Sequence, residues 1–225
     1  MSEISGLILL DKPAGPTSHD MVYMARKKLN IPTIGHSGTL DPLATGLLIL
    51  LVGRSATKRQ EEFLRMNKVY SGVVLFGVET DTWDMAGKII SRKEDFEISV
   101  VNLEKALKLL TGEIVHRVPP YSAAKRDGIP LYKLARKNLP VPVLEKKVSV
   151  KWLSNKLNGN EMSFTVECSS GTYIRSLAMH LGEILGSGAI LKSLRREKIG
   201  PYCVEKAFDE KSFEKASPQE LIIPL

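Results

Sequence analysis

The chain is poor in the residues that hold a protein together covalently or through a metal. Its 225 residues include two cysteines, Cys168 and Cys203, and four histidines. There is no CxxC pair and no His/Cys set at metal-ligand spacing, so neither a disulfide framework nor a metal centre is expected. Both cysteines read as small core residues. Long apolar runs are also missing. The longest, Leu7 to Leu10 and Leu47 to Val52, fall far short of the roughly 20 residues of a membrane helix. The start MSEISG has no basic stretch followed by an apolar one. These absences argue against a membrane-spanning helix and against export, and lead to the expectation of a cytoplasmic protein. Low-complexity segments and internal repeats are absent as well.

What is present suits a packed domain with a polyanionic partner. A hydrophobic content of 43% is enough for an ordinary core. Lys and Arg number 32 against 25 Asp and Glu, a net charge of +7. The bases gather at 25–29, 123–128, 133–138, 145–152 and 191–198. Any one such cluster is commonly no more than a solvated face. Tyr121, Tyr132, Tyr173 and Tyr202 lie in or near them, and tyrosine stacks on unpaired bases while lysine and arginine hold phosphates, which favours RNA.

Periodicity predicts a strand at 6–10, then a loop forced by the prolines and glycine of DKPAGPTSH. A helix follows over 18–29, capped by Thr17 or Ser18, with Met21, Val22, Ala25 and Leu29 inward. Further strands are expected at 47–51 and 68–78, with a helix over 55–66 between them. The segment 79–87 reads as a loop, 99–110 as an amphipathic helix, and 172–185 as another. Asn158-Gly159 marks a hairpin turn with positive φ angles. The stretch 116–143, rich in proline, lysine and arginine, reads as an exposed insertion with one short helix opened by Pro130. The expected class is α+β, a mixed, mostly antiparallel sheet flanked by helices, in a single domain spanning 1–225.

The segment GHSGTLDPLATG (35–46) concentrates turn-forming and polar residues at the mouth of a strand. It lacks the Lys-Ser/Thr of a phosphate loop. His36, Ser37 and Asp41 have the residue types of a hydrolytic triad, but neighbours on one loop rarely face one another. Two readings of Asp41 stay open. In one it caps a short helix with Pro42 at the first position. In the other it is a chemically active carboxylate, nucleophile or base, kept ionised by a basic neighbour.

Six motifs in order resemble the TruB family of tRNA pseudouridine synthases, from about Gly6 to Tyr202. DKPAGPTSHD (11–20) is similar to the family's Lys-Pro-x-Gly motif, and GHSGTLDPLATGLL (35–48) to its catalytic motif, with the nucleophilic aspartate at Asp41. KVYSGVVLFGVETDTWDMAG (68–87) is similar to the segment with the active-site tyrosine, Tyr70, and a loop aspartate, Asp84. PPYSAAKRDGIPLYKLAR (119–136), with Lys125 and Arg126, resembles the insertion that grips the T-arm of tRNA. CSSGTYIRSL (168–177) places the motif's tyrosine and arginine at Tyr173 and Arg175, and LKSLRREKIGPY (191–202) places a leucine at Leu194.

The resemblance implies the pseudouridine synthase fold and isomerisation of uridine 55 in the T-loop, without cofactor or metal. Asp41, Tyr70 and Arg175 are then catalytic. Tyr70 would stack on the flipped base and lie where a proton leaves C5, and Arg175 would hold Asp41 ionised by a charge-assisted hydrogen bond. Lys12, His36, Asp84, Tyr173 and Leu194 would line the substrate site, with Lys125 and Arg126 on the tRNA. Family members usually carry a small RNA-binding domain after the catalytic one. The residues past Tyr202 are too few for a C-terminal PUA-type domain, so the grip on tRNA is expected to rest on the insertion at about 117–145. A monomer is expected. Two rivals are a guide-RNA-dependent synthase and a non-enzymatic RNA chaperone; folding assistance also fits beside the enzymatic activity.

Overall fold

The two most apolar segments pair with each other. Gly6–Lys12 runs antiparallel to Thr45–Val52, with Leu7 opposite Leu51 and Lys12 opposite Gly46. Every residue of Leu47–Val52 is buried, so the run is covered on both faces. Alternation divides it cleanly. Leu48, Leu50 and Val52 pack with Ile8, Leu10, Met21, Val22, Ala25 and Phe213 on one side. Leu47, Ile49 and Leu51 pack with Leu7, Leu9, Phe63 and Ile199 on the other. Each such side chain contributes about 1.5–3 kcal/mol on leaving water, so this strand anchors the polar loop before it to the core.

The computed structural model describes residues 5–225. Residues 1–4, part of the start read above as lacking an export signal, lie outside the described residues. The chain divides into two compact units, one made by residues up to Tyr70 together with Leu194–Leu225, the other by Ser71–Ser193. Both divisions fall within strands, Lys68–Phe76 and Ala189–Ile199. In the first unit Thr45–Val52 also pairs antiparallel with Ile34–His36, and its Thr45 and Gly46 pair in parallel with Arg195 and Arg196. In the second, the strand order is Lys68–Phe76, Glu161–Cys168, Glu145–Asn158, Gly112–Arg117, with helices Val100–Leu109 and Ile174–Leu185 in contact. The architecture is the expected α+β with a mostly antiparallel sheet. No helix among the described residues is long and apolar enough to cross a membrane.

Three expectations shift in detail. The helix predicted over 55–66 is two short helices, Gly53–Lys58 and Gln60–Arg65, divided at Arg59. The strand predicted over 68–78 breaks at Gly77, whose φ is +86°; a Cβ there would overlap the Phe96 ring. The hairpin pairs Asn158 with Glu161, so Gly159 and Asn160 are its central residues, and only Gly159 has a positive φ, +59°. The insertion folds more than its composition suggests. Lys125–Arg126 pairs with Ile129–Pro130 around Asp127 (φ +52°) and Gly128 (φ +80°), and Pro130 then opens the helix Leu131–Ala135.

Candidate active site

In the first unit the motif 35–46 is a loop, residues 37–44, between the strands Ile34–His36 and Thr45–Val52, and its backbone is held from three directions. Asp41 does not cap a helix: its carbonyl accepts the Ala44 N–H at 3.0 Å, closing a single turn. On one side, the Ser18 hydroxyl accepts the Leu40 N–H at 2.8 Å and donates to the Leu40 carbonyl at 3.2 Å. On the other side, the Pro42 carbonyl accepts the Gly15 N–H at 2.8 Å and the Lys12 ammonium at 3.3 Å. The residue between, Asp41, is half-buried. Ser18 is in place because Thr17 caps the helix Ser18–Leu29 in a reciprocal box with Asp20.

Lys12 differs from its expected role as a substrate contact. Its side chain is fully buried, and its ammonium donates to the carbonyls of Pro13 and Pro16, both at 2.8 Å, as well as Pro42. Burial lowers its pKa, with the Asp41 carboxylate the leading opposing influence and Arg196 adding to the lowering. An ammonium so enclosed pins two loops together, and the Asp41 carboxylate favours its charged form.

The third hold comes from Arg196, which the sequence reading did not single out. Only 1% exposed, its Nε donates to the Leu47 carbonyl at 2.7 Å and its Nη2 to the Gly38 carbonyl at 3.2 Å. Gly46 has φ +99°, and a Cβ there would overlap the Arg196 backbone, so the glycine permits the close parallel approach. The signal available in the sequence was this glycine at the start of an apolar strand, a mark of close backbone approach.

His36 accepts the Gly38 N–H on Nδ1 at 3.2 Å, while its own carbonyl accepts from Gln60 at 2.8 Å. Its pKa is lowered by burial first, then by Arg196 and His19, so the ring is a neutral acceptor. Leu194, half-buried, receives the Thr45 hydroxyl on its carbonyl at 3.4 Å. Tyr70 lies two residues beyond Lys68, whose ammonium caps the carbonyls of Phe63, Leu64 and Met66 at the end of Gln60–Arg65.

In the second unit Asp84 and Arg175 form an ion pair, Oδ2 to Nε at 3.7 Å, with side chains 14% and 7% exposed. Arg175 also donates to the carbonyls of Thr82 and Tyr121, each at 3.1 Å. The other Asp84 oxygen accepts the Thr82 hydroxyl at 2.6 Å and the Ala86 N–H at 2.9 Å. Asp84 therefore orders its own turn and aims the guanidinium. Tyr173 precedes Ile174–Leu185, and its N–H donates to Nε2 of the fully buried His116 at 3.2 Å. Nδ1 of His116 lies 3.1 Å from the Lys146 carbonyl, which fixes the Nδ1–H tautomer. The Tyr173 ring lies 5.9 Å from the His116 ring, with the Lys146 ammonium 5.9 Å over it. His116, missed in the sequence, is the anchor of Tyr173, and no local pattern marks it. Lys125 and Arg126 are exposed in the small hairpin of the insertion.

Residues 26–174 match the description "TruB family pseudouridylate synthase (N terminal domain)". The chain belongs to the TruB family. It is 43% identical over 216 residues to a tRNA pseudouridine synthase B of Endomicrobium trichonymphae, covering 96% of this chain and 94% of the relative. To a tRNA pseudouridine synthase B of Aquifex aeolicus it is 41% identical over 226 residues, 99% of this chain and 78% of the relative. Among solved structures it is similar to a chain from a Cbf5-Nop10-Gar1 complex, at 30% identity and a TM-score of 0.69. Another, from an H/ACA RNP bound to a substrate RNA containing 2'-deoxyuridine, gives 25% identity and 0.68. The TruB chain is covered for 92% and 97% but spans only 52% and 59% of those two chains.

Proposed function

We propose that this TruB-family chain converts uridine to pseudouridine in tRNA, at position 55 of the T-loop. The reaction breaks the N1–C1′ glycosidic bond, turns the uracil and forms a C5–C1′ bond. The C5 proton is lost and N1 takes up a proton, so no net redox change occurs. The target base must leave its stack before a protein group can reach it. Asp41 is assigned as the carboxylate that acts at the ribose or the base, Tyr70 as the aromatic platform for the flipped base, and Arg175 as the cation of the site. His36, Asp84, Tyr173 and Leu194 are assigned to the lining of the substrate site, with Lys125 and Arg126 on the T-arm; Lys12 acts through the loop.

The observation that carries this reading is the clamp on Asp41. A carboxylate that must act on one atom of a bound nucleotide gains from a backbone fixed on both sides, since displacements near 1 Å cost about 10²-fold in rate. Ser18, Gly15, Lys12 and Arg196 place hydrogen bonds on the backbone of that loop.

The test is to incubate the purified chain with an unmodified tRNA transcript and map pseudouridine by chemical modification and primer extension. Pseudouridine at position 55 supports the reading. A folded protein that leaves the lone transcript unchanged contradicts it and favours dependence on partners, as the complexes of the two solved relatives would suggest.

A further inference from the structure

The helix Ser18–Leu29 carries a second feature that its packing does not use. Ser18, Met21, Val22 and Ala25 face the core, while His19, Tyr23 and Lys27 are exposed on the opposite face, Tyr23 at 69%. Four-residue spacing lines these three up over about two helical turns, roughly 12 Å. The stripe starts one residue from the Ser18 hydroxyl that grips Leu40, next to Asp41.

Its neighbours are committed to the fold. Arg26 donates to the Ile34 carbonyl at 2.7 Å, and Lys28 donates to the Glu214 carbonyl at 2.6 Å and lies 5.5 Å over the Phe213 ring. Asp20, the single acid of the helix, accepts the N–H and hydroxyl of Thr17 at 2.8 and 2.7 Å. Among the described residues, Tyr23 and Lys27 make no such contact. An exposed aromatic followed one turn later by a cation, on a helix with three bases in its last turn, matches a base to stack and a phosphate to pair.

We infer that the exposed stripe His19–Tyr23–Lys27 is an RNA-binding track, along which the strand flanking the reacting nucleotide passes as it leaves the Asp41 loop. Tyr23 stacks on a base of that strand and Lys27 neutralises one phosphate. This rests on the reading of the chain as an RNA-modifying enzyme and adds a contact on the first unit, apart from the insertion.

The experiment measures tRNA affinity over a range of salt concentrations for the full chain and for Tyr23→Ala, Tyr23→Phe and Lys27→Ala, with pseudouridine formation at saturating tRNA followed in parallel. Tyr23→Ala is expected to weaken binding about 5- to 150-fold at unchanged salt slope, with Tyr23→Phe restoring it. Lys27→Ala is expected to reduce the slope of log K against log salt by about 0.7–0.9. Saturated rates are expected to be those of the unaltered chain. Unaltered affinity and slope in both alanine variants overturn the track while leaving the enzymatic reading intact. The expected binding losses without any pseudouridine formation keep the track and overturn the enzymatic reading. Failure of the unaltered chain to bind tRNA overturns both.

Discussion

A single hydroxyl, that of Ser18, satisfies both the N–H and the carbonyl of Leu40, 22 residues away, and Leu40 is the residue before Asp41. The group that starts a helix thus also sets the position of the candidate catalytic carboxylate. Both atoms of Leu40 are buried with it, so the bond has no substitute in water.

Ser18→Ala leaves that amide and carbonyl unpaired. The expected cost is about 1–3 kcal/mol of stability, together with a fall in kcat for pseudouridine formation at nearly unchanged KM, because the loop rather than the RNA surface is altered. Urea unfolding and steady-state kinetics on one tRNA transcript check both. Stability and kcat at the level of the unaltered chain would remove Ser18 from the clamp.

Gly46→Ala tests the close parallel approach. With φ at +99° and a Cβ overlapping the Arg196 backbone, alanine brings left-handed strain and a steric conflict, together about 2–5 kcal/mol. A lowered urea midpoint is expected, larger than that from alanine at Gly159. At Gly159 the φ is also positive but no atom lies within 4 Å of the added Cβ. Equal effects at the two positions would contradict the argument from approach.

Three histidines, His116 buried and His36 and His180 half-buried, give a pH dependence of defined sign. Burial lowers the pKa of His36, His116 and His180, so below about pH 6.5 the unfolded chain takes up protons that the folded chain resists. Stability is fully present above that pH and is lost as pH falls toward the depressed folded values. His116→Gln removes one such group while keeping an acceptor for the Tyr173 N–H. The expected result is a decline in unfolding free energy from about pH 7.5 to 5 that is shallower in His116→Gln. The lowered carboxylates Asp20, Glu62, Asp209 and Glu220 act in a window below their ordinary values, near pH 4. A flat profile in the unaltered chain, or an unchanged slope in the variant, would contradict it.

Much of this fold was legible because it is local. Thr17, Asp20 and the spacing of Met21, Val22 and Ala25 define the helix Ser18–Leu29 to the residue. The unbroken apolar run Leu47–Val52, with no polar alternation, marks a strand covered on both faces. The breaks at Arg59 and Gly77 were less visible, since the latter depends on the ring of Phe96 rather than on neighbours in sequence. Asp127-Gly128 carried a hairpin signal of its own, obscured by the surrounding prolines and charges. The site divides the same way. The motif around Asp41 and the residues Tyr70, Arg175 and Tyr173 stand out by family resemblance, whereas Lys12 was expected at the substrate rather than inside the fold, and Arg196 sits in a basic cluster of the kind that is commonly a solvated face. Their partners are carbonyls, which have no sequence signature, and for Arg196 they lie 149 and 158 residues away. His116 is hidden for the same reason, its ring bonded to backbone groups at Lys146 and Tyr173.

The central claim is that Asp41 performs the isomerisation from a rigidly held loop. Release of tritium from C5-labelled uridine in an unmodified tRNA transcript measures that step directly, for the unaltered chain and for Asp41→Asn. Asparagine keeps the size of the side chain and removes its charge, and the clamp bonds from Ser18, Gly15 and Arg196 go to backbone groups rather than to that side chain. The account predicts steady release by the unaltered chain and none above background by an Asp41→Asn protein that folds and binds the same tRNA. Comparable release by both would contradict it.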